Sequence, residues 1–368
     1  MPLRLLVAAG GTGGHFFPAV AVVQAAERIG PVEVYFAGRQ DRIEGRFAPM
    51  LSWKFVALPV APFSKDHALR FVAGMTKSLR LLAQLVRQLR PDVVLATGAY
   101  IGLPAGVVAG LRRIPLVLVE VNVLPGRAIR LLARGARVIV TAYEETAQWL
   151  PKSVHSRIRL YGVPVRQEFR NPPSAEEARR RLGLEPERPV IAVLGGSLGA
   201  ARLNAVAQRL LPAVESGQFQ LIWQYGERWT VPGELPAGVV ARPFFSEPAV
   251  VMAAADCIVA RAGGMTVAEL CSIGRAAVLV PYPGAAEQHQ EANARWMERN
   301  GAAMCVADMR AEQEVPAIVQ QLLSNAAARQ QMAARARRLA RPDAAERIAA
   351  VLWELHSSHG KALGAKPQ

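Results

Sequence analysis

"RLLVAAGGTGGHFFPA", residues 4–19, runs from an apolar stretch straight into four glycines and a histidine. A short apolar run bounded by glycine reads as a buried strand, and the residues after the glycines read as the start of a helix. Glycines in such a turn let backbone approach a ligand closely, and N–H groups at a helix start suit an anion. A histidine at the exit suits proton transfer, although a tight strand-to-helix turn with an incidental His has the same letters. The pattern returns as "PVIAVLGGSLGA" (189–200). Later "PDVVLATGAYIGLPAG" (91–106) is answered by "ADCIVARAGGMTVAEL" (255–270). Strand, glycine loop and helix, stated twice, predict an α/β chain made of two Rossmann-like domains.

The remaining runs agree. "VEVYFAG", "PLVLVEV" and "RVIVTAY" in the first half, and "FQLIWQYG" and "AAVLVPYP" in the second, are continuous apolar strands separated by helical stretches. Such runs belong to parallel sheets covered on both faces. At 368 residues two domains are expected. The boundary is placed near "YGVPVRQEF" (161–169), giving domains 1–163 and 164–340. Ligands of such sheets bind at the carboxyl ends of the strands, so two facing domains would hold a cleft between their glycine loops.

The net charge of +15 is uneven: residues 1–163 hold 21 Lys/Arg against 9 Asp/Glu, and the remainder 23 against 20. A basic first half implies an acidic partner, which by charge alone is nucleic acid, anionic lipid or a phosphorylated substrate. Cys257, Cys271 and Cys305 form no CxxC pair and no metal-ligand cluster, as expected of a reduced cytoplasmic protein. No apolar run approaches the ~18 residues of a membrane span, and the opening "MPLRLLVAAGG" reads as a strand rather than a signal peptide.

Three further motifs carry chemistry. The first loop misses the dinucleotide fingerprint, since Phe16 stands where its third glycine belongs. The second, Gly195-Gly196-Ser197-Leu198-Gly199, would offer amides and a hydroxyl to a phosphate. In "RAGGMTVAELCSIG" (261–274), Glu269 lies early in a helix, where a carboxylate can accept from two ribose hydroxyls or simply complement the helix end. "YPGAAEQHQEANA" (282–294) crowds Glu287, Gln288, His289, Gln290, Glu291 and Asn293 together, a set able to read sugar hydroxyls or to form a solvated helix start. Together they favour a nucleotide-sugar site.

"GGTGGHFFPA", "GVPVR", "GGSLGA", "RAGGMTVAEL" and "HQEANA" resemble, in order and spacing from about Leu3 to Ala303, the MurG family of N-acetylglucosaminyltransferases that make lipid II of bacterial peptidoglycan. The resemblance implies a GT-B fold, two Rossmann-like domains with parallel sheets facing across a cleft. Residues 1–163 would bind the acceptor and associate with the membrane, and 164–340 would bind UDP-GlcNAc. Residues 341–368 would form a helix crossing back to the first domain, plus a flexible tail. The implied reaction is inverting transfer of GlcNAc from UDP-GlcNAc to the C4 hydroxyl of MurNAc-pentapeptide-pyrophosphoryl-undecaprenol (lipid I), giving a β-1,4 link.

By the same resemblance Thr12, Gly13 and Gly14 face donor sugar and acceptor pyrophosphate, and Gly10, Gly11 and Tyr100 lie in the acceptor loops. Asn122 and Arg166 are further donor-side contacts. Ser197 binds phosphate, and the backbone of Phe245 holds uracil. Gly264, Met265, Thr266, Val267, Ala268 and Glu269 form the diphosphate–ribose segment. Gln290, with Asn293 nearby, reads GlcNAc hydroxyls. The chain departs from the family pattern at Ala99, Gly102–Leu103, Val121 and Glu287–Gln288, mostly in the acceptor loops.

On this reading His15 is the general base, biased toward neutral imidazole by the positive end of the following helix, with a hydrogen-bonding positioner as the alternative. No metal cluster is present in the sequence and no cofactor is implied. Charge on the leaving UDP would fall to backbone amides, a helix N-terminus and Arg166. The segment "ALRFVAGMTKSLRLLAQLVRQLR" (68–90) carries an apolar arc of roughly 200° on a helical wheel. Arg70, Lys77, Arg80 and Arg87 fill the rest. It is either a buried helix with a solvated basic edge or a patch that settles on anionic lipid. The partners expected are therefore UDP-GlcNAc, lipid I and anionic lipids rather than nucleic acid, with the protein cytoplasmic and peripheral on the inner face of the plasma membrane. Rival readings are another GT-B transferase, a hydrolysing UDP-GlcNAc epimerase, and a nucleotide- or surface-binding module with no enzymatic activity.

Overall fold

The computed structural model describes residues 1–61, 68–231 and 233–364. The tail expected beyond the last helix lies outside them. The chain divides into two compact units, Met1–Arg166 with Arg341–Gln368, and Gln167–Ala340. The boundary falls after Arg166 rather than after Val163, so Arg166 stays with the first unit.

The first unit is built on β1 (Leu3–Ala8), β2 (Val32–Gly38), β3 (Lys54–Ala57), β4 (Val93–Ala96), β5 (Leu116–Glu120), β6 (Val138–Thr141) and β7 (Ile158–Leu160). These pair in the order β3-β2-β1-β4-β5-β6-β7, every pair parallel. The second unit holds β8 (Val190–Leu194), β9 (Gln220–Gln224), β10 (Val239–Arg242), β11 (Cys257–Ala260), β12 (Ala276–Leu279) and β13 (Met304–Cys305). Their order is β10-β9-β8-β11-β12-β13, again all parallel.

The nine apolar runs picked out in the sequence are the interior strands. The four strands that the sequence did not announce, β3, β7, β10 and β13, are the four sheet edges. None of them is fully buried at any residue. An edge strand is short and half-exposed, so it has no continuous apolar run to betray it.

Each sheet has its own core. In the first, Leu6, Val94, Leu116, Leu118 and Ile139 pack with Leu82 and Val86 of the Ala68–Leu89 helix. That helix divides the wide apolar arc read from its sequence. Leu82 and Val86 are buried, and Met75, Leu79, Leu85 and Leu89 pack against the core, while Leu69, Val72 and Leu81 are exposed. Gly74 faces the core because a Cβ there would lie 2.5 Å from the Pro59 carbonyl oxygen. The core stripe is therefore narrower than the arc. The Ala344–Gly364 helix docks on the Gly13–Ile29 helix through Ala21, Ala25, Ala26, Ala345 and Ala349. Trp353 Nε1 donates to the Ala26 carbonyl at 3.0 Å. Small side chains let the two helices approach closely, and the tryptophan adds a fixed polar contact.

Candidate active site

In the first unit β1 lies between β2 and β4, where the strand order reverses direction, so the segments that follow these three strands share one corner at their carboxyl ends. His15, in the first turn of the Gly13–Ile29 helix, is half-buried. Its Nδ1 lies 2.7 Å from the carbonyl oxygen of Thr97, just beyond β4, and Thr97 Oγ1 donates back to the His15 carbonyl at 2.5 Å. A carbonyl can only accept, so Nδ1 carries the proton and Nε2 is the basic nitrogen of the ring. Gly98 (φ 78°) passes within contact of the imidazole, a Cβ there falling 3.4 Å from the ring. Ala99, where the resemblance has glycine, takes a left-handed φ of 57°.

The glycines before His15 prove to have different reasons. Gly10 (φ 140°) is bare because a Cβ would fall 2.2 Å from the carboxyl carbon of Glu44. Gly11 (φ 81°) donates its N–H to Glu44 Oε2 at 2.9 Å, and a Cβ there would meet Tyr100 and Ile101 only at ordinary contact distance. Gly13 is crowded by Phe17. Gly14 alone of the four has both an ordinary φ and ordinary clearance, so neither backbone conformation nor packing accounts for its missing side chain. The expectation that the whole run offers backbone to a ligand is corrected to this extent: Gly10 and Gly11 close on a buried carboxylate. Thr12, exposed and extended, makes no side-chain capping bond, which leaves the first amides of the helix without an internal partner.

Asn122 is buried beyond β5. Glu120 Oε1 accepts from its backbone N–H at 2.9 Å and from its Nδ2 at 3.0 Å, while Oε2 accepts from Gly126 N–H at 2.9 Å. Full burial pushes the Glu120 carboxyl up to about 7 despite these three donors. The Arg166 guanidinium carbon stands 4.7 Å from the centre of the Phe17 ring, in the same helix as His15.

In the second unit, Gly195–Gly199 turns from β8 into the Ala201–Glu215 helix. Ser197 and Leu198 are exposed at its tip. Phe245 is buried, with its N–H directed to Gln224 Oε1 at 3.4 Å. The Gly264–Ile273 helix starts at Gly263, to whose carbonyl the Val267 N–H donates at 2.9 Å. Met265 and Val267 send their side chains into the core. Of the segment expected to meet diphosphate and ribose, Gly264, Met265 and Thr266 can thus offer amides of the first turn, and Glu269, mostly buried, a side chain. Ala268 is half-buried.

Gln290 Oε1 accepts from Tyr282 N–H at 2.9 Å, which leaves the amide nitrogen of its side chain as the end suited to a sugar hydroxyl. Asn293, expected near Gln290 among the residues that read the sugar, is wholly buried, and its Nδ2 donates to the Ala262 carbonyl at 3.0 Å, so it ties the His289–Arg299 helix to the end of β11. Just before that helix Glu287 and Gln288 both hold left-handed backbone (φ 54° and 56°), strained for residues with side chains. Burial lowers the His289 pKa. Among the described residues no three His, Cys, Asp or Glu side chains are arranged to hold a metal ion.

Sequence reasoning missed Glu44, Thr97 and Arg261. Arg261 Nη1 binds Asp308 at 2.5 Å and the carbonyls of Val280 and Pro281 at 3.0 and 3.4 Å, bracing the segment that carries Tyr282. A carboxylate early in a helix and a threonine after a strand give no local sign of partners 33 and 82 residues away.

Residues 5–141 match the glycosyltransferase family 28 N-terminal domain, and residues 190–348 match the family 28 C-terminal domain. A Bacteroides fragilis protein named UDP-N-acetylglucosamine–N-acetylmuramyl-(pentapeptide) pyrophosphoryl-undecaprenol N-acetylglucosamine transferase is 34% identical over 361 residues, covering 94% of each chain. One of the same name from Salinibacter ruber is 35% identical over 361 residues, covering 94% of this chain and 95% of its own. The crystal structure of MurG from Acinetobacter baumannii superposes with a TM-score of 0.75 at 27% identity, over 96% of this chain and all of that one. A structure described as a putative UDP-N-acetylglucosamine 2-epimerase from Listeria monocytogenes reaches a TM-score of 0.70 at only 13% identity, over 97% of this chain and 98% of its own, a likeness of fold alone.

Proposed function

The chain belongs to glycosyltransferase family 28, and we infer that it transfers N-acetylglucosamine from UDP-GlcNAc to lipid I. The new bond is β-1,4 to the C4 hydroxyl of the MurNAc unit, formed with inversion. His15 carries this reading. Its ring is held through Nδ1, which turns the basic Nε2 to proton abstraction at the start of a helix whose first amides can receive an anion. The hydroxyl proton passes to Nε2 as the oxygen attacks the anomeric carbon, and the bond to the UDP oxygen breaks. Glu269 holds the ribose hydroxyls, Ser197 and the first-turn amides of the Gly264–Ile273 helix hold the phosphates, and Gln290 reads the sugar. Arg166 adds positive charge for the departing diphosphate. A hydrolysing epimerase would share the fold but release UDP without an acceptor. The deciding assay is radiolabel transfer from UDP-GlcNAc to a short-chain lipid I analogue; acceptor-independent UDP release in its place would overturn the assignment.

We propose further that exposed residues on three helices of the first unit meet the cytoplasmic surface of an anionic membrane. The Ala68–Leu89 helix packs against Gly102–Arg112, and that one against Arg127–Leu132. Leu69, Val72, Leu111 and Leu131 are exposed on them, among exposed Arg70, Lys77, Arg80, Arg87, Arg112 and Arg130, with no acidic residue on any of the three. No helix among the described residues is long and apolar enough to cross a membrane. Each cation near an anionic surface contributes about 1 kcal/mol, screened by salt. Changing Arg70, Lys77, Arg80 and Arg87 to Gln is expected to lower co-sedimentation with anionic vesicles at low salt while sparing turnover of a soluble acceptor. Leu69→Ser with Val72→Ser tests the apolar part. Met75 and Leu82, on the same helix, are unsuitable because Leu82 is buried in the core and Met75 packs against it.

A further inference from the structure

Glu44, in the short Ile43–Phe47 helix after β2, is completely buried. Oε2 accepts the Gly11 N–H at 2.9 Å, and Oε1 accepts the Arg39 N–H at 3.0 Å. Two glycines make room for it: a Cβ at Gly10 would lie 2.2 Å from its Cδ, and one at Gly38 would lie 2.3 Å from its Cγ. Glu44 thus joins the segment after β1 to the segment after β2. The Arg39 side chain carries the link onward, to Asp41 at 2.5 Å and the Val60 carbonyl at 3.4 Å.

We propose that Glu44 is a positioning residue for the acceptor side of the reaction: its carboxylate sets the Gly10–Gly11 turn so that the helix beginning at Gly13 presents its first amides to the acceptor's pyrophosphate. This rests on the assignment of lipid I as acceptor. The geometry has a direct consequence. With its N–H turned onto Glu44, Gly11 offers no amide to a ligand, and contact with the anion falls to Thr12, Gly13 and Gly14. The two partners of Glu44 are both donors, so both of its oxygens must accept. A carboxylate meets that demand and a carboxamide cannot, because its NH2 would face one of the two N–H groups.

The test uses the full chain as wild type, Glu44→Gln and Glu44→Asp. Kinetics are measured with a short-chain lipid I analogue and UDP-GlcNAc, and the concentration of competent protein is taken from calorimetric titration with UDP. For Glu44→Gln the acceptor KM is expected to rise at least tenfold, with the UDP Kd within twofold of wild type. Glu44→Asp keeps the charge but draws the oxygens back from the amides, and is expected to show the same split in smaller degree. A carboxylate that served only stability would reduce the competent fraction and leave the acceptor KM of the remainder unchanged. That result, in Glu44→Gln or in Glu44→Asp should the first not fold, overturns the proposal. Failure of the wild type to use the lipid I analogue would instead overturn the assignment of the acceptor.

Discussion

Gly10–Gly14 closes around a carboxylate, whereas Gly195–Gly199 closes on another stretch of backbone. In the second loop Gly199 (φ 79°) meets Gly226 (φ 88°), where a Cβ would fall 2.1 Å from Gly199 backbone atoms. The turns after β8 and β9 therefore pack main chain to main chain, and Gly195 N–H donates to the Gln224 carbonyl at 3.1 Å. The first loop is held by a side chain from a distant helix and carries His15 at its exit. The second is held by glycine against glycine and carries the exposed Ser197 and Leu198 at its tip. Similar strings of letters thus have different supports: a buried carboxylate under the first loop, and facing glycine backbone under the second.

The comparison is broken most severely by His15→Ala. General-base assistance contributes about 10²–10⁴-fold, so turnover should fall by that order while the UDP affinity measured by calorimetry stays within a few-fold. Near-normal turnover would reduce His15 to a structural residue and make the two loops equivalent. In the second unit the large effect should be on stability instead. Gly226→Ala forces a Cβ into backbone and is expected to cost about 3 kcal/mol or more in denaturant unfolding. Gly196→Ala, with a positive φ (77°) but open space around it, should cost only about 1 kcal/mol. Equal losses at the two positions would show that conformation rather than packing selects these glycines.

A smaller effect sharpens the donor side. Hydrogen bonds to charged groups contribute about 1.5–3 kcal/mol, so Glu269→Ala should raise the KM for UDP-GlcNAc at least tenfold. An unchanged KM in the folded variant removes the ribose role. The smallest change in stability is expected at Gly14. Alanine in the first turn of a helix should be neutral or add up to about 1 kcal/mol, because the site has room for it. A drop in acceptor-dependent activity without loss of stability would then report ligand approaching Gly14 backbone. Wild-type kinetics would place the anion elsewhere on the loop.

Nine interior strands, both glycine turns and the doubling of the fold were legible because their causes are local. An unbroken apolar run needs cover on both faces, and a glycine string after it needs a turn. The edges were not legible, since strands such as Val239–Arg242 and Met304–Cys305 borrow their hydrogen bonds from a neighbour and bury little of their own. Candidate residues divide the same way. His15, Ser197, Glu269 and Gln290 could be picked out by type and place, but burial decided that Asn293 braces a helix and that Leu82 belongs to the core.

The amino-acid sequence by itself determined the α/β class, the two parallel sheets, the basic first half and the family, all of which depend on composition, period and motif. Only the tertiary structure decided why Gly10 and Gly38 are bare, which nitrogen of His15 is basic, and which side of the Ala68–Leu89 helix is core. Those answers depend on contacts between segments far apart in the chain, Gly11 with Glu44 and His15 with Thr97. A hydrogen bond across such a separation imposes no periodicity on the residues between its partners, so it becomes readable only once the strands have brought them together.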